Sequence, residues 1–187
     1  MKEYWDEAIS YEKYIQDATE RMNAPLTDED REMHEYYKLG LQRMERMQKK
    51  YQPDAEQLQA LADKNFDGKV MIISEAWCGD ASQCVPVVNA FFSGNNEVRI
   101  SYRDGENSAI DHFLTNGGKS IPIVVLLDDD FNVIAHWGPR PAHGTELLQK
   151  YKADSEAYPK EQFYNDLQLY YAKNRGYDTI AEILKLI

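Results

Sequence analysis

The sequence is short of cysteine, of cationic charge and of long apolar runs, and each shortage excludes something. Two cysteines in 187 residues do not make a disulfide framework of the kind small secreted domains use in place of a core. The pair points instead to a reducing cytoplasm. Lysine and arginine number 21 against 32 aspartates and glutamates, a net charge of −11. Nucleic acid is therefore not expected as a partner, because phosphate binding needs clustered cations. No stretch approaches the roughly 18 consecutive apolar residues of a membrane-spanning helix, so no membrane partner is expected. The opening segment Met1–Glu7 is acidic and has no apolar centre, and it is not expected to be a secretory signal.

What remains is 43% hydrophobic and 28% charged, enough to bury one core, with terminal additions, in a chain of this length. Residues 1 to about 66 read as helical. Tyr4, Ala8, Tyr11, Ile15 and Ala18 repeat as one face of a first helix does, and Pro25 breaks the pattern. Thr27 followed by Asp28, Glu29 and Asp30 caps a second helix carrying Met33, Tyr36, Tyr37, Leu41, Met44 and Met47. A third starts at Pro53, runs through Leu58, Leu61 and Ala62, and ends near Asp67-Gly68. The methionine and aromatic stripes are read as packing surface.

The centre changes type. Lys69 to Ser74 reads as a strand, Asp80 to about Phe92 as a helix and Val98 to Arg103 as a second strand. Asn107 to Leu114 reads as a helix, stopped at Asn116-Gly117-Gly118. Ile121 to Leu127 reads as a buried strand, turned by Asp128-Asp129-Asp130 into its hairpin partner Asn132 to Trp137. After Gly138-Pro139-Arg140-Pro141 three more helices are expected: Gly144 to about Ala153, Glu161 to Lys173 and Thr179 to Ile187. Tyr151, Tyr158, Tyr164, Tyr170, Tyr171 and Tyr177 recur there, as packing for an added layer or as an oligomer surface.

The chemistry concentrates at Glu75-Ala76-Trp77-Cys78-Gly79-Asp80-Ala81, directly after the apolar run Val70-Met71-Ile72-Ile73, with Pro86 further along the helix. This segment resembles the active site of the thioredoxin superfamily. The resemblance covers about residues 55 to 152. Trp77, Cys78 and Gly79 fit the motif, and Pro86 falls on the helix-kinking proline. Ile121-Pro122 falls on the loop where the family keeps a cis-proline facing the cysteine. Gly138 fits the glycine bordering the substrate groove. The Trp-Cys-Gly-Asp-Ala and Trp-Gly-Pro-Arg-Pro segments are similar to those of a group of bacterial thioredoxin-like proteins. The implied fold is α/β, a central mixed sheet flanked by helices, with residues 1–54 and 153–187 as helical extensions and 55–152 as the core.

The departures from the family matter as much. Where the family keeps its second cysteine, three residues after the first, this chain has Ala81. Where thioredoxins keep a buried carboxylate on the preceding strand, it has Ile72. A general disulfide reductase is not expected. Cys84 is a poor substitute partner: six residues along a helix rise about 9 Å and turn about 240°, whereas a disulfide needs Cα atoms within roughly 7 Å. It reads as an inert core thiol.

Cys78 is the candidate nucleophile, because a helix N-terminus favours the thiolate. Asp80 either opposes that thiolate or only complements the helix dipole. Arg140 either stabilises the thiolate or a substrate carboxylate, or forms a salt bridge with a local acid such as Asp80. In the family the backbone beside the proline, here Ile121, pairs with an extended peptide. Trp77, Gly79 and Pro122 support the site, and Gly138 lines the groove. His34, His112, His136 and His143 have no metal-ligand spacing with the cysteines, Gly117-Gly118 is no phosphate loop, and no cofactor is expected. A peroxiredoxin-type site would need a Pro and a Thr shortly before its cysteine, and Met71 to Trp77 contains neither.

Three functions follow. The first is monothiol thiol–disulfide exchange through Cys78 with a protein or small-thiol partner, resolved by an external thiol. The others are a non-catalytic peptide-binding module and a redox sensor through Cys78 oxidation. Substrate, reductant and oligomeric state stay open.

Overall fold

The computed structural model describes residues 1–23 and 27–187, with residues 29, 30 and 32 described in backbone only. Pro25, expected to separate the first two helices, lies outside the described residues. The elements are α1 (Lys2–Glu7), α2 (Tyr11–Asn23), α3 (Asp28–Lys50), α4 (Ala55–Lys64), β1 (Lys69–Ser74), α5 (Ala81–Phe92), β2 (Val98–Tyr102), a 3-10 helix (Ala109–His112), β3 (Ile123–Leu127), β4 (Val133–Trp137), α6 (Ala142–Ala153), α7 (Lys160–Asn174) and α8 (Tyr177–Leu184).

The sheet has the order β2-β1-β3-β4. β1 runs parallel to β2 and antiparallel to β3, and β3 and β4 form an antiparallel hairpin. A βαβ unit followed by a hairpin, flanked by helices, is the expected α/β thioredoxin fold, with helical segments before and after it. Alternation along the strands sends two apolar rows in opposite directions. Val70, Ile72, Ile100, Val124 and Leu126 meet α2, α3, α5, α7 and α8 on the thick side. Met71, Ile73, Ile123, Val125 and Leu127 meet a thinner cover built from Trp5, Ala109, Ile110 and Phe113.

The first helix is where the expectation fails most. It is two helices, because Ile9 leaves helical geometry to bridge Ile100 through two backbone hydrogen bonds (2.9 and 2.8 Å). The Ser10 hydroxyl then caps the restart by accepting from Lys13 N. Tyr11 and Ala18 are buried as expected, but the helical period carried through the break and so selected Tyr4 and missed the buried Trp5 and Tyr14. Tyr36 and Leu58, expected on packed faces, are exposed. The third helix ends at Lys64, with Asn65 in the left-handed conformation, short of Asp67-Gly68. The expected helix over Asn107 to Leu114 is one turn of 3-10 geometry, capped by Ser108.

Two glycines fix how the layers meet near Cys78. A Cβ on Gly40 would stand 2.3 Å from the Ala76 carbonyl oxygen, so α3 lies directly on the backbone leading into the motif. Gly138 has a φ of +129°, and a Cβ there would stand 2.2 Å from the Pro122 carbonyl oxygen. The loop after β4 thereby seats on the loop before β3. The Ile121–Pro122 and Gly138–Pro139 peptide bonds are both cis.

Candidate active site

β1 ends at Ser74, and Glu75 to Asp80 carry the chain from its C-terminal edge into α5, whose ladder opens with Ser82 N donating to the Cys78 carbonyl at 3.0 Å. Cys78 is therefore held at the start of the helix, partly exposed, with the Asp80 and Ala81 N–H groups directed at its sulfur. Its thiol donates to the Ile121 carbonyl across the groove at 3.5 Å. Trp77, Cys78, Gly79, Ile121, Pro122 and Gly138 thus come together at one end of the sheet. The Ile121 carbonyl, expected to be open to a peptide, is occupied by the thiol itself, and the Ile121 side chain is buried.

Asp80 and Arg140 also converge, on each other. Arg140 Nε and Nη2 donate to Asp80 Oδ2 at 3.0 and 2.5 Å; Asp80 is buried and Arg140 half-buried. The Tyr171 hydroxyl donates to Asp80 Oδ1 at 2.7 Å. Of the readings open for Arg140, the salt bridge with Asp80 is the one present. Gly144 makes room for it, since a Cβ there would stand 3.3 Å from Arg140 Cδ.

The balance at Cys78 runs against the thiolate expected from a helix N-terminus. Burial pushes the thiol up first and the Asp80 carboxylate second, while the two backbone N–H groups and Arg140 pull it down, leaving it raised to about 11. The hydrogen bond to Ile121 needs the neutral thiol and acts in the same upward direction. Arg140 contributes little because its charge is already matched by Asp80.

Cys84 is walled in. Its sulfur lies 4.0 Å from the Tyr171 hydroxyl and 3.8 Å from Thr179 Oγ1, and burial drives its thiol well above the ordinary value. Both cysteines are free.

Several site residues were missed from sequence. Glu75 is a buried carboxylate accepting from Asp104 N at 2.9 Å, and burial raises it. Ile72 is buried, as the motif comparison implied, but an acid does stand near the motif, at Glu75 and not on the strand. Its signal was an acid wedged between an apolar strand and Trp-Cys-Gly. Arg103 pairs with Asp104 through two 2.7 Å bonds and lies 4.7 Å from the Trp77 ring centroid, fixing that indole. Glu182 of α8 accepts from Trp137 Nε1 at 2.7 Å and Ala142 N at 2.9 Å, strapping both ends of the Arg140 loop. No local pattern announces Tyr171 or Glu182, which reach the site from the C-terminal helices.

Two surface grooves lie elsewhere, one between α2 and α3 along Ile15, Met22 and Leu41, the other between α6 and α7 along His143, Leu147 and Tyr170. Cys78 lines neither. Among the described residues no group of three or more His, Cys, Asp or Glu is placed to hold a metal ion, and no helix is long and apolar enough to cross a membrane.

No curated protein matches the sequence. A Pseudomonas aeruginosa protein of unknown function has a similar structure, with a TM-score of 0.61 at 15% identity, covering 99% of this chain and 95% of the other. A crystallised HIV epitope scaffold is similar at TM-score 0.62 and 15% identity, with the same coverage. At that identity the likeness is one of fold. The sequence also matches the family described as thioredoxin over residues 26–152, well over half of the chain and including Cys78, Pro122 and Arg140, and the chain belongs to that thioredoxin family.

Proposed function

We propose that the protein is a monothiol thioredoxin-like protein that carries out thiol–disulfide exchange through Cys78, in a reducing cytoplasm such as that of a bacterium. Residues 55–152 form the working core, and segments 1–54 and 153–187 wall the site. The observation that carries the reading is the placement of a single partly exposed thiol at the α5 N-terminus, 3.5 Å from the Ile121 carbonyl of the proline loop, with Ala81 where a second thiol would stand. The Cys78 thiolate attacks a disulfide sulfur, the S–S bond breaks, and the leaving thiolate departs with the electron pair. A mixed disulfide on Cys78 remains, and an external thiol resolves it. Trp77 and Pro122 shape the approach to the sulfur.

One observation favours a second reading, a peptide-binding module that does not use the thiol: at neutral pH a thiol raised to about 11 is protonated in all but about one molecule in ten thousand. The same shift weighs on exchange and on a redox sensor alike, since both work through a thiolate. Exchange and the binding module part on Cys78→Ser. Exchange predicts that this variant loses turnover of a mixed disulfide while Cys84→Ser keeps it. Full turnover in Cys78→Ser would exclude exchange at this site.

A further inference from the structure

Arg43 is a cation the site leaves without a counter-charge. It lies on the α3 face that Gly40 brings down onto the Ala76 backbone. That approach puts Arg43 Nη1 3.5 Å from where a Cβ on Gly79 would stand, so the guanidinium rests against the residue next to Cys78. It is half-buried, and among the described residues it has no hydrogen-bonded or ion-paired partner. The carboxylate that attracts it, Asp80, already has Oδ2 on Arg140 and Oδ1 on Tyr171. One turn along α3, Arg46 donates to Gln83 Oε1 at 3.1 Å and adds a second positive charge. Burial and Arg46 together weaken the hold of Arg43 on its proton. Half-burying an unmatched guanidinium beside another is unfavourable. Among the described residues no acid closes on Arg43.

We propose that Arg43, backed by Arg46, is an anion subsite beside Cys78 that takes the carboxylate of a small acidic disulfide. The inference rests on the exchange reading and names its substrate class. A carboxylate fits the guanidinium fork through two parallel hydrogen bonds and supplies the missing counter-charge. For a disulfide RSSR with carboxylates on R, the Cys78 thiolate bonds to one sulfur, RS⁻ leaves with the S–S electron pair and takes up a proton, and the R group on Cys78 stays anchored at Arg43. Attack by an external thiolate R′S⁻ on the R sulfur releases RSSR′ and returns the Cys78 thiolate, so the exchange balances without another oxidant or reductant.

The test compares two disulfides of similar length and opposite charge, 3,3′-dithiodipropionate and cystamine, reacting with the full reduced protein. Arg43→Gln is expected to slow dithiodipropionate about tenfold, the loss of one interaction near 1.4 kcal/mol, and to leave cystamine unchanged. Arg43→Lys, which keeps the charge but not the fork, is expected to recover part of the loss. Where the parent protein reacts with both disulfides, equal slowing of both, or of neither, overturns the subsite. A second arm removes thiol chemistry: binding of 3,3′-thiodipropionate, a thioether that does not exchange, followed by the Gly79 amide resonance. Binding retained in Cys78→Ser and lost in Arg43→Gln supports the subsite even if exchange at Cys78 fails. Binding that is undetectable in the parent protein, or unaffected by Arg43→Gln, overturns it even if exchange succeeds.

Discussion

Cys78 and Cys84 lie within two turns of each other, and burial pushes both thiols up, but they face different surroundings. Cys78 has an open side, backbone N–H groups on its sulfur and a carbonyl across a groove. Cys84 has Tyr171, Thr179 and packed core around it. Tyr171 joins the Asp80 carboxylate to Cys84, its hydroxyl donating to Asp80 and lying 4.0 Å from the Cys84 sulfur. At Cys78 the helix N-terminus is opposed by burial and by the Asp80 carboxylate. What separates the two thiols is access, and what tunes the accessible one is the Asp80 carboxylate and the partners that hold it.

The largest expected effect is in access. Under native conditions Cys78 is alkylated more than about a thousandfold faster than Cys84, because Cys84 reacts only through opening of the core, which costs several kcal/mol. Mass spectrometry of each cysteine after timed alkylation reads this directly, and equal rates would erase the distinction. The Cys78 rate itself should rise about tenfold per pH unit through neutrality and level off only near pH 11.

Next is the charge that tunes Cys78. Asp80→Asn removes a carboxylate that raises the thiol and frees Arg140 to act on the sulfur. The alkylation rate at pH 7 should rise about tenfold, one pKa unit. Stability should fall by about 3 kcal/mol in denaturant titration, because a half-buried guanidinium loses its buried charge partner. The parent protein carries a linked pH signature. Its folded Cys78 pKa, about 11, lies above the unfolded value of about 8.5, so the native state holds the proton longer and stability is lost as pH climbs through that window. Cys78→Ser should lose less stability over the same window.

The smallest effect sharpens the role of the bridging tyrosine. Tyr171→Phe removes one hydrogen bond to the Asp80 carboxylate and should cost about 2 kcal/mol. It should leave Cys84 protected, since the ring still fills its place. An increase in Cys84 alkylation as large as that seen on unfolding would show that the hydroxyl, not the ring, closes the core.

The fold was legible wherever the signal is local. β1, bounded by Gly68 and the motif, runs over the expected residues Lys69–Ser74, and α5 and β2 begin and end within a residue of expectation. The α1–α2 break was not legible, because Ile9 leaves the helix to satisfy a strand edge far along the chain. Neither was the state of the site. Arg43, Tyr171 and Glu182 carry no local signal of their roles and Glu75 only its place between strand and motif, and each acts through groups 29 or more residues away, from 29 for Glu75 to Asp104 up to 91 for Tyr171 to Asp80.

By itself the sequence determined the α/β order of elements, the motif around Cys78, the absence of a second thiol at Ala81 and the core position of Cys84. The order of elements follows from periodicity and turn residues, and the readings of Ala81 and Cys84 from the resemblance of the motif to the thioredoxin active site. The tertiary structure alone decided that Arg140 is bound to Asp80, that a C-terminal tyrosine shares that carboxylate, and that an arginine of α3 is left unmatched beside Cys78. The physical reason is that charge and solvation at a point depend on every group within several ångströms of it, and those groups arrive from five separate stretches of chain.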